Sequence, residues 1–209
     1  MRVVVPAEPV LAECRERDDK IDRENTKAVL SLASLLDGQR RRDEARRLLE
    51  EFIERQPRSV DAQTLLGMIL EETGDAGAAQ MRYEKIIAQN PRAAMASYRL
   101  AALYAQHENS LDAALSLAIV AGEQLSDNPA VSDLLGWLYT RRNLPTLGLP
   151  HLQDAVSAVP DNAIYRYHLG YAHMNAGHLK EAREQFTQAL EIDKNFAEAD
   201  QVRKLLRGL

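Results

Sequence analysis

Cysteine is almost absent from this chain. Its 209 residues include one, Cys14, so neither an internal disulfide nor a cysteine-based zinc site can form. Aromatic residues make up only 5% against 45% hydrophobic residues overall. That balance disfavours a β-sandwich and favours an Ala/Leu-rich helical protein. No apolar run approaches the roughly 20 residues that a membrane-crossing helix needs. The opening MRVVVPAEPV has one arginine and three consecutive valines before Pro6, short of a signal-peptide core. The chain is therefore expected to be soluble, without membrane insertion, and cytoplasmic. Removal of an export signal, or origin in a longer protein, stays open as an alternative. Positive charge is not in excess either: 26 Lys and Arg face 31 Asp and Glu, for a net charge of −5. A mildly acidic chain gives no footing for nucleic-acid binding.

Catalytic patterns are missing as well. The five histidines, His107, His151, His168, His173 and His178, form neither a His-x-x-x-His nor an HExxH pattern. There is no GxSxG and no phosphate-cradling glycine loop. Acidic pairs such as Glu50-Glu51 and Glu71-Glu72 suit charged helix faces better than acid–base work. The expectation is a protein that is not an enzyme and has no cofactor and no metal. The basic stretch from Gln39 to Arg47, QRRRDEARR, reads as a solvated turn and outer helix face, since Asp43, Glu44, Glu50 and Glu51 stand beside it. An anion-binding patch is the alternative.

What is present is an internal repeat. A leucine followed by a small residue recurs at Leu32-Ala33, Leu66-Gly67, Leu100-Ala101, Leu135-Gly136 and Leu169-Gly170, at steps of 34 or 35. Other positions keep that step. Leu36, Leu70, Tyr104, Tyr139 and His173 come three residues after the small one; Ala45, Ala79, Ala114, Gly148 and Ala182 come twelve or thirteen after it. Next in register are Leu49, Tyr83, Ala118, Leu152 and Phe186, then Phe52, Ile86, Ala121, Ala155 and Ala189. Spacings of three and four mark one apolar face of a helix. Gly38, Gly74 and Gly177 fall near the middle of their repeats, where a turn is needed. Pro57, Pro91 and Pro160 close three of them. Each repeat is thus a helix pair, and a lone pair cannot bury its apolar face, so neighbours must stack. Pro145 falls in the first turn of a helix, where a missing N–H costs little. Pro150 lies five residues further in and predicts a bend.

These residues resemble the tetratricopeptide repeat of bacterial multi-repeat proteins, over roughly residues 26–196. The fifth repeat fits best, at Leu169, Gly170, Ala182, Phe186 and Ala189. It departs at His173 and Lys194, where tyrosine and proline are usual. The bulky fourth position is Val29, Gln63, Ser97, Ser132 and Arg166 here. The resemblance implies an all-α, right-handed α-solenoid of about five helix-turn-helix units: 26–59, 60–93, 94–128, 129–162 and 163–196. Residues 197–209 read as a capping helix, and residues 1–25 as a lead-in, with a partial helix and a loose segment as the alternatives. It also implies a concave groove lined by the first helix of each pair. On this chain that groove carries Met95, Tyr98, Asp133, Trp137, Arg141, Ile164, Tyr167, Tyr171, Met174 and Asn175. The Lys, Asn and Arg clamp with which family co-chaperones grip acidic tails finds only Arg99 in place, so that docking mode is not expected. The resulting expectation is a non-catalytic scaffold for a protein or peptide ligand. The alternative is a structural module that self-associates into a homo-oligomer through its N-terminal segment or its repeat ends.

Overall fold

The computed structural model describes residues 25–209, and every described element is helical. The expected lead-in, helical or loose, falls outside the described residues save for Asn25. Helix α1 is described over residues 25–38. It is followed by α2 (Arg42–Arg55), α3 (Val60–Glu72), α4 (Ala76–Gln89), α5 (Ala94–Tyr104) and α6 (Leu111–Gln124). Then come α7 (Pro129–Arg141), α8 (Pro145–Ala158), α9 (Ala163–Asn175), α10 (Leu179–Ile192) and α11 (Ala199–Gly208). This is an all-α helical repeat solenoid. None of the described helices is long and apolar enough to cross a membrane.

Local chemistry accounts for where helices start and turn. Asn128 and Asn162 cap α7 and α9: the Asn162 side chain accepts from the backbone N–H of Ile164 and Tyr165, at 3.0 and 3.1 Å. Each such cap satisfies donors that a helix start leaves unpaired. Between the two helices of a pair the chain passes through a left-handed residue, at Arg40 (φ 64°), Gly74 (φ 87°), Asn143 (φ 59°) and Gly177 (φ 82°). Gly38, which the sequence suggests for the first turn, is instead the last residue of α1. The left-handed place there falls to an arginine, a residue type that adopts it at a cost. The third pair turns differently, through a 3₁₀ turn over Glu108–Ser110, which takes up its one extra residue.

The described residues form two compact units, which divide between Ile86 and Ile87. In the first, Ala33, Leu36, Ala45, Leu49, Phe52, Leu66, Ile69 and Tyr83 are buried. A Cβ added at Gly67 would sit 2.5 Å from the Tyr83 ring, so glycine is what admits that ring. Tyr83 Oη donates to the Glu71 carboxylate at 2.5 Å.

In the second unit, Leu135 and Leu138 of α7 pack with Ala114 and Ala118 of α6, and Leu169 and Ala172 of α9 with Leu149 and Leu152 of α8. The second helix of one pair thus covers the first helix of the next. Helices α7 and α8 cross at their backbones: a Cβ on Gly136 would lie 2.6 Å from Leu152, and one on Gly148 would lie 2.5 Å from the Gly136 carbonyl oxygen. Helix α8 runs unbroken through Pro150. The proline leaves the Thr146 carbonyl without its helical N–H partner, on a stretch where Thr146 and Pro150 are both exposed to water. Helix α11 lays Ala199 and Val202 on Phe186, Ala189 and Phe196, with Leu205, Leu206 and Leu209 partly buried against the same cluster.

Candidate functional site

The recess of the second unit is built on α7 and α9. Trp137 and Tyr171 project from these helices at matching steps and meet edge to face, ring centres 5.4 Å apart at 72°. Tyr167, one turn before Tyr171, lies 5.8 Å from Trp137 and also touches Phe186 and Phe196, each at 6.2 Å. Tilted and edge-on arrangements of this kind are the favoured ones for aromatic pairs. His168 stacks flat on Trp137, at 4.2 Å and 16°. Its Nδ1 lies 2.9 Å from both carboxylate oxygens of Asp133. The indole is therefore in contact with three rings, and the ring that stacks on it is held by a buried carboxylate.

In front of these rings lies an open recess of about 280 Å³. Trp137, Tyr167 and Tyr171 form its aromatic floor, and Glu108, Asn143, Asn175 and Gln201 are among its polar lining. Arg141 also lines it, but its guanidinium already donates to the Ala105 carbonyl and pairs with the Glu108 carboxylate. This neutralises the cation and ties the end of α7 to the end of α5. Burial pushes the Tyr167 hydroxyl up to about 12, with the Glu198 carboxylate adding to the effect. The recess thus presents aromatic rings and amide side chains beside the Arg141–Glu108 ion pair, a surface suited to apolar side chains and to peptide backbone.

The ten groove residues proposed from the sequence are not all in one place. Trp137, Arg141, Tyr167, Tyr171 and Asn175 line the recess. Met174 packs, partly buried, on the cluster behind it. Asp133 is buried in its pairing with His168. Met95 and Ile164 are exposed and Tyr98 is half-buried, all three outside the recess lining. Sequence reasoning missed Glu108, Asn143 and Gln201. Glu108 belongs to the one-residue insertion, Asn143 to an interhelix turn, and Gln201 to a helix read only as a cap. None of the three lies on the first helix of a repeat, which is where the groove pattern looks.

The basic stretch of α2 is largely engaged in ion pairs. Arg41 pairs with Glu44 at 2.6 Å and Arg46 with Glu50 at 2.8 Å, while Arg42 reaches both Asp37 and Glu72. Neighbouring acids thus offset the cluster, as a solvated helix face does. No group of three or more His, Cys, Asp or Glu is gathered in a metal-binding arrangement among the described residues.

Comparison with known families and structures agrees with this architecture. Tetratricopeptide repeat models match residues 30–79 and 72–125, and a second one matches 163–196. These ranges cover more than half of the chain, and the protein belongs to the tetratricopeptide repeat family. Its fold is similar to that of MamA from Desulfovibrio magneticus RS-1, with a TM-score of 0.64 at 23% identity over 82% of this chain and 96% of that one. A thermophilic tetratricopeptide protein of Thermus thermophilus superposes with a TM-score of 0.59 at 22% identity, over 88% of this chain and 99% of that one. YrrB, described as a tetratricopeptide protein with an unusual peptide-binding site, gives 0.64 at 17% identity, over 89% and 97%. Among curated proteins, none matches the sequence.

Proposed function

We propose that this protein is an interaction scaffold that holds an extended peptide segment of a partner protein in the recess of its second compact unit. Membership of the tetratricopeptide family supports the scaffold role; the peptide is our own reading of the site. One observation carries it. Trp137 and Tyr171 are only partly buried although well supported from behind, and amides flank them at Asn175 and Gln201. Rings held in place in advance bind at little entropic cost, and amide side chains can pair with a peptide backbone. The repeats that supply the recess are those we assign to residues 94–128, 129–162 and 163–196. Met95 and Ile164, exposed on first helices of that series, extend the apolar surface that a longer segment would meet.

Trp137 is the only tryptophan of the chain, so its emission reports on the recess alone. Peptides selected on the full chain from a random display library should shift that emission on binding. They should lose affinity at least about tenfold in Tyr171→Ala, the scale of truncating an aromatic anchor. Selected peptides that bind with unchanged Trp137 emission and unchanged affinity for Tyr171→Ala would remove the recess as the binding site.

A further inference from the structure

The fourth position of the repeat shows what this chain places between the end of one helix pair and the second helix of the next. In the fifth repeat Arg166 stands there. Its guanidinium donates to the Pro160 carbonyl at 2.8 Å and to the Gln185 and Gln188 side-chain carbonyls at 3.0 and 2.5 Å. In the second repeat Gln63 donates to the Pro57 carbonyl at 2.5 Å, and Pro57 and Pro160 share one register place. In the fourth repeat the position falls to Ser132, whose side chain is far shorter. An open hollow of about 460 Å³ lies there among α6, α7 and α8. Thirty-four residues before Pro160, Gln185 and Gln188 stand Ser126, His151 and Asp154, and all three line the hollow beside Ser132. Ser97, the counterpart in the third repeat, is fully buried, whereas Ser132 is not. A second small residue widens the space. Gly122 stands where the other repeats carry Ile53, Ile87, Val156 and Leu190, and a Cβ there would meet only Leu135, at 3.5 Å.

We infer that this hollow receives an arginine side chain from a partner protein's segment, seated as Arg166 is seated one repeat further on. The first support is the chain's own example. An entering guanidinium meets the Ser126 carbonyl in the place of that of Pro160. Where Gln188 offers an amide oxygen, it meets the Asp154 carboxylate, and a charged acceptor makes the stronger bond. His151 takes the place of Gln185 and, as a neutral imidazole, accepts through a ring nitrogen. The second support is charge. The lining carries Glu123 and Asp154 but no lysine or arginine, and neither carboxylate has an ion pair or hydrogen bond among the described residues. The third is shape. Tyr139 and His151 stack nearly parallel, ring centres 6.0 Å apart at 12°, and a planar guanidinium lies well on such a ring face. Gly122 and Leu135 leave apolar surface for the arginine stem. Ile119 marks the occupant as a segment. It lines the hollow and is 40% exposed, where the other repeats carry Glu50, Glu84, Gln153 and Thr187. It offers contact to an apolar residue beside the arginine.

The hollow shares no lining residue with the peptide recess, and the test keeps the two apart. The probe is the capped tripeptide leucyl-arginyl-leucine, titrated into the full chain while amide NMR signals are followed. The amides of Gly122, Ser132 and His151 shift and saturate. The same tripeptide with citrulline, which keeps the shape and loses the charge, binds about fivefold more weakly, the scale of an ion pair open to water. Asp154→Asn weakens the arginine tripeptide by a similar factor, and Trp137→Ala leaves its affinity unchanged. Ser132→Arg supplies the guanidinium from within the chain, as Arg166 does, and abolishes the shifts. Shifts at these amides that never saturate overturn the proposal. Equal affinity for the citrulline or the lysine tripeptide overturns it, as does unchanged affinity in Asp154→Asn or loss of binding in Trp137→Ala. Free arginine binding more tightly than the tripeptide makes the ligand a small molecule and overturns the partner segment. Should Ser132→Arg unfold, the citrulline tripeptide and Asp154→Asn decide.

Discussion

Replacing Gly148 by alanine sets sequence and structure against each other. The matching positions of the other repeats are Ala45, Ala79, Ala114 and Ala182, all fully buried. Alanine is the better helix former by about 1 kcal/mol, so the repeat pattern predicts a stabilised protein. The structure predicts the reverse. The new Cβ would lie 2.5 Å from the Gly136 carbonyl oxygen and 2.8 Å from Thr140 Oγ1, where ordinary contact begins at 3.4 Å. Helices α7 and α8 would have to separate by about 0.9 Å (3.4 minus 2.5) at their crossing. The obstacle is backbone and cannot swing aside as a side chain would. Overpacking costs about 1–3 kcal/mol, and a strained Thr140 hydrogen bond to the same carbonyl, 2.8 Å long, adds about 1 kcal/mol. After the helix-propensity gain, a net loss of about 2 kcal/mol remains, or a fall in Tm of about 4–8 °C for a chain of this size. Gly122→Ala is the matched control. It lies inside α6 with only Leu135 near, at 3.5 Å, and should gain about 1 kcal/mol. Thermal unfolding followed by circular dichroism compares the two. A Tm for Gly148→Ala equal to or above wild type, with Gly122→Ala also raised, would refute the claim that backbone contact sets the α7–α8 spacing.

Arg40→Gly relieves a left-handed arginine (φ 64°) and should stabilise the first compact unit by about 1 kcal/mol, read as a higher denaturant midpoint. Asn162→Ala removes the two-bond cap of α9 and should cost about 1 kcal/mol, with faster amide exchange at Ile164 and Tyr165. His173 is held below its ordinary pKa of 6.5, first by burial and then by His178 beside it. The unfolded chain therefore binds this proton more readily, so stability is full above about pH 6.5 and falls as the pH drops below it. His173→Gln should flatten that slope in denaturant titrations run at a series of pH values.

Much of the fold was legible because helix pairs repeat. The step of 34 residues puts small residues where helices cross and bulky ones where they nest, and Gly67 against Tyr83 and Gly170 against Phe186 follow that rule. The recess was legible only in part. Trp137, Tyr167, Tyr171 and Asn175 lie on first helices at groove spacing, so periodicity picks them out. It cannot tell that Tyr167 is buried against Phe186 and Phe196, or that Asp133 is spent on His168, because those partners come from other parts of the chain. Glu108, Asn143 and Gln201 escaped for the same reason: they are brought in by an insertion, a turn and a terminal helix.

From the sequence alone came the class, the five leucine–small pairs and the register of each helix face, since periodicity is local and each repeat restates it. Tertiary structure alone decided which members of that register are in use. Leu32, Leu66, Leu135 and Leu169 are equivalent in sequence, yet the first is 47% exposed and the others are at most 7% exposed. Burial depends on what lies next door in space, and among the described residues no helix precedes α1 to lie against that face.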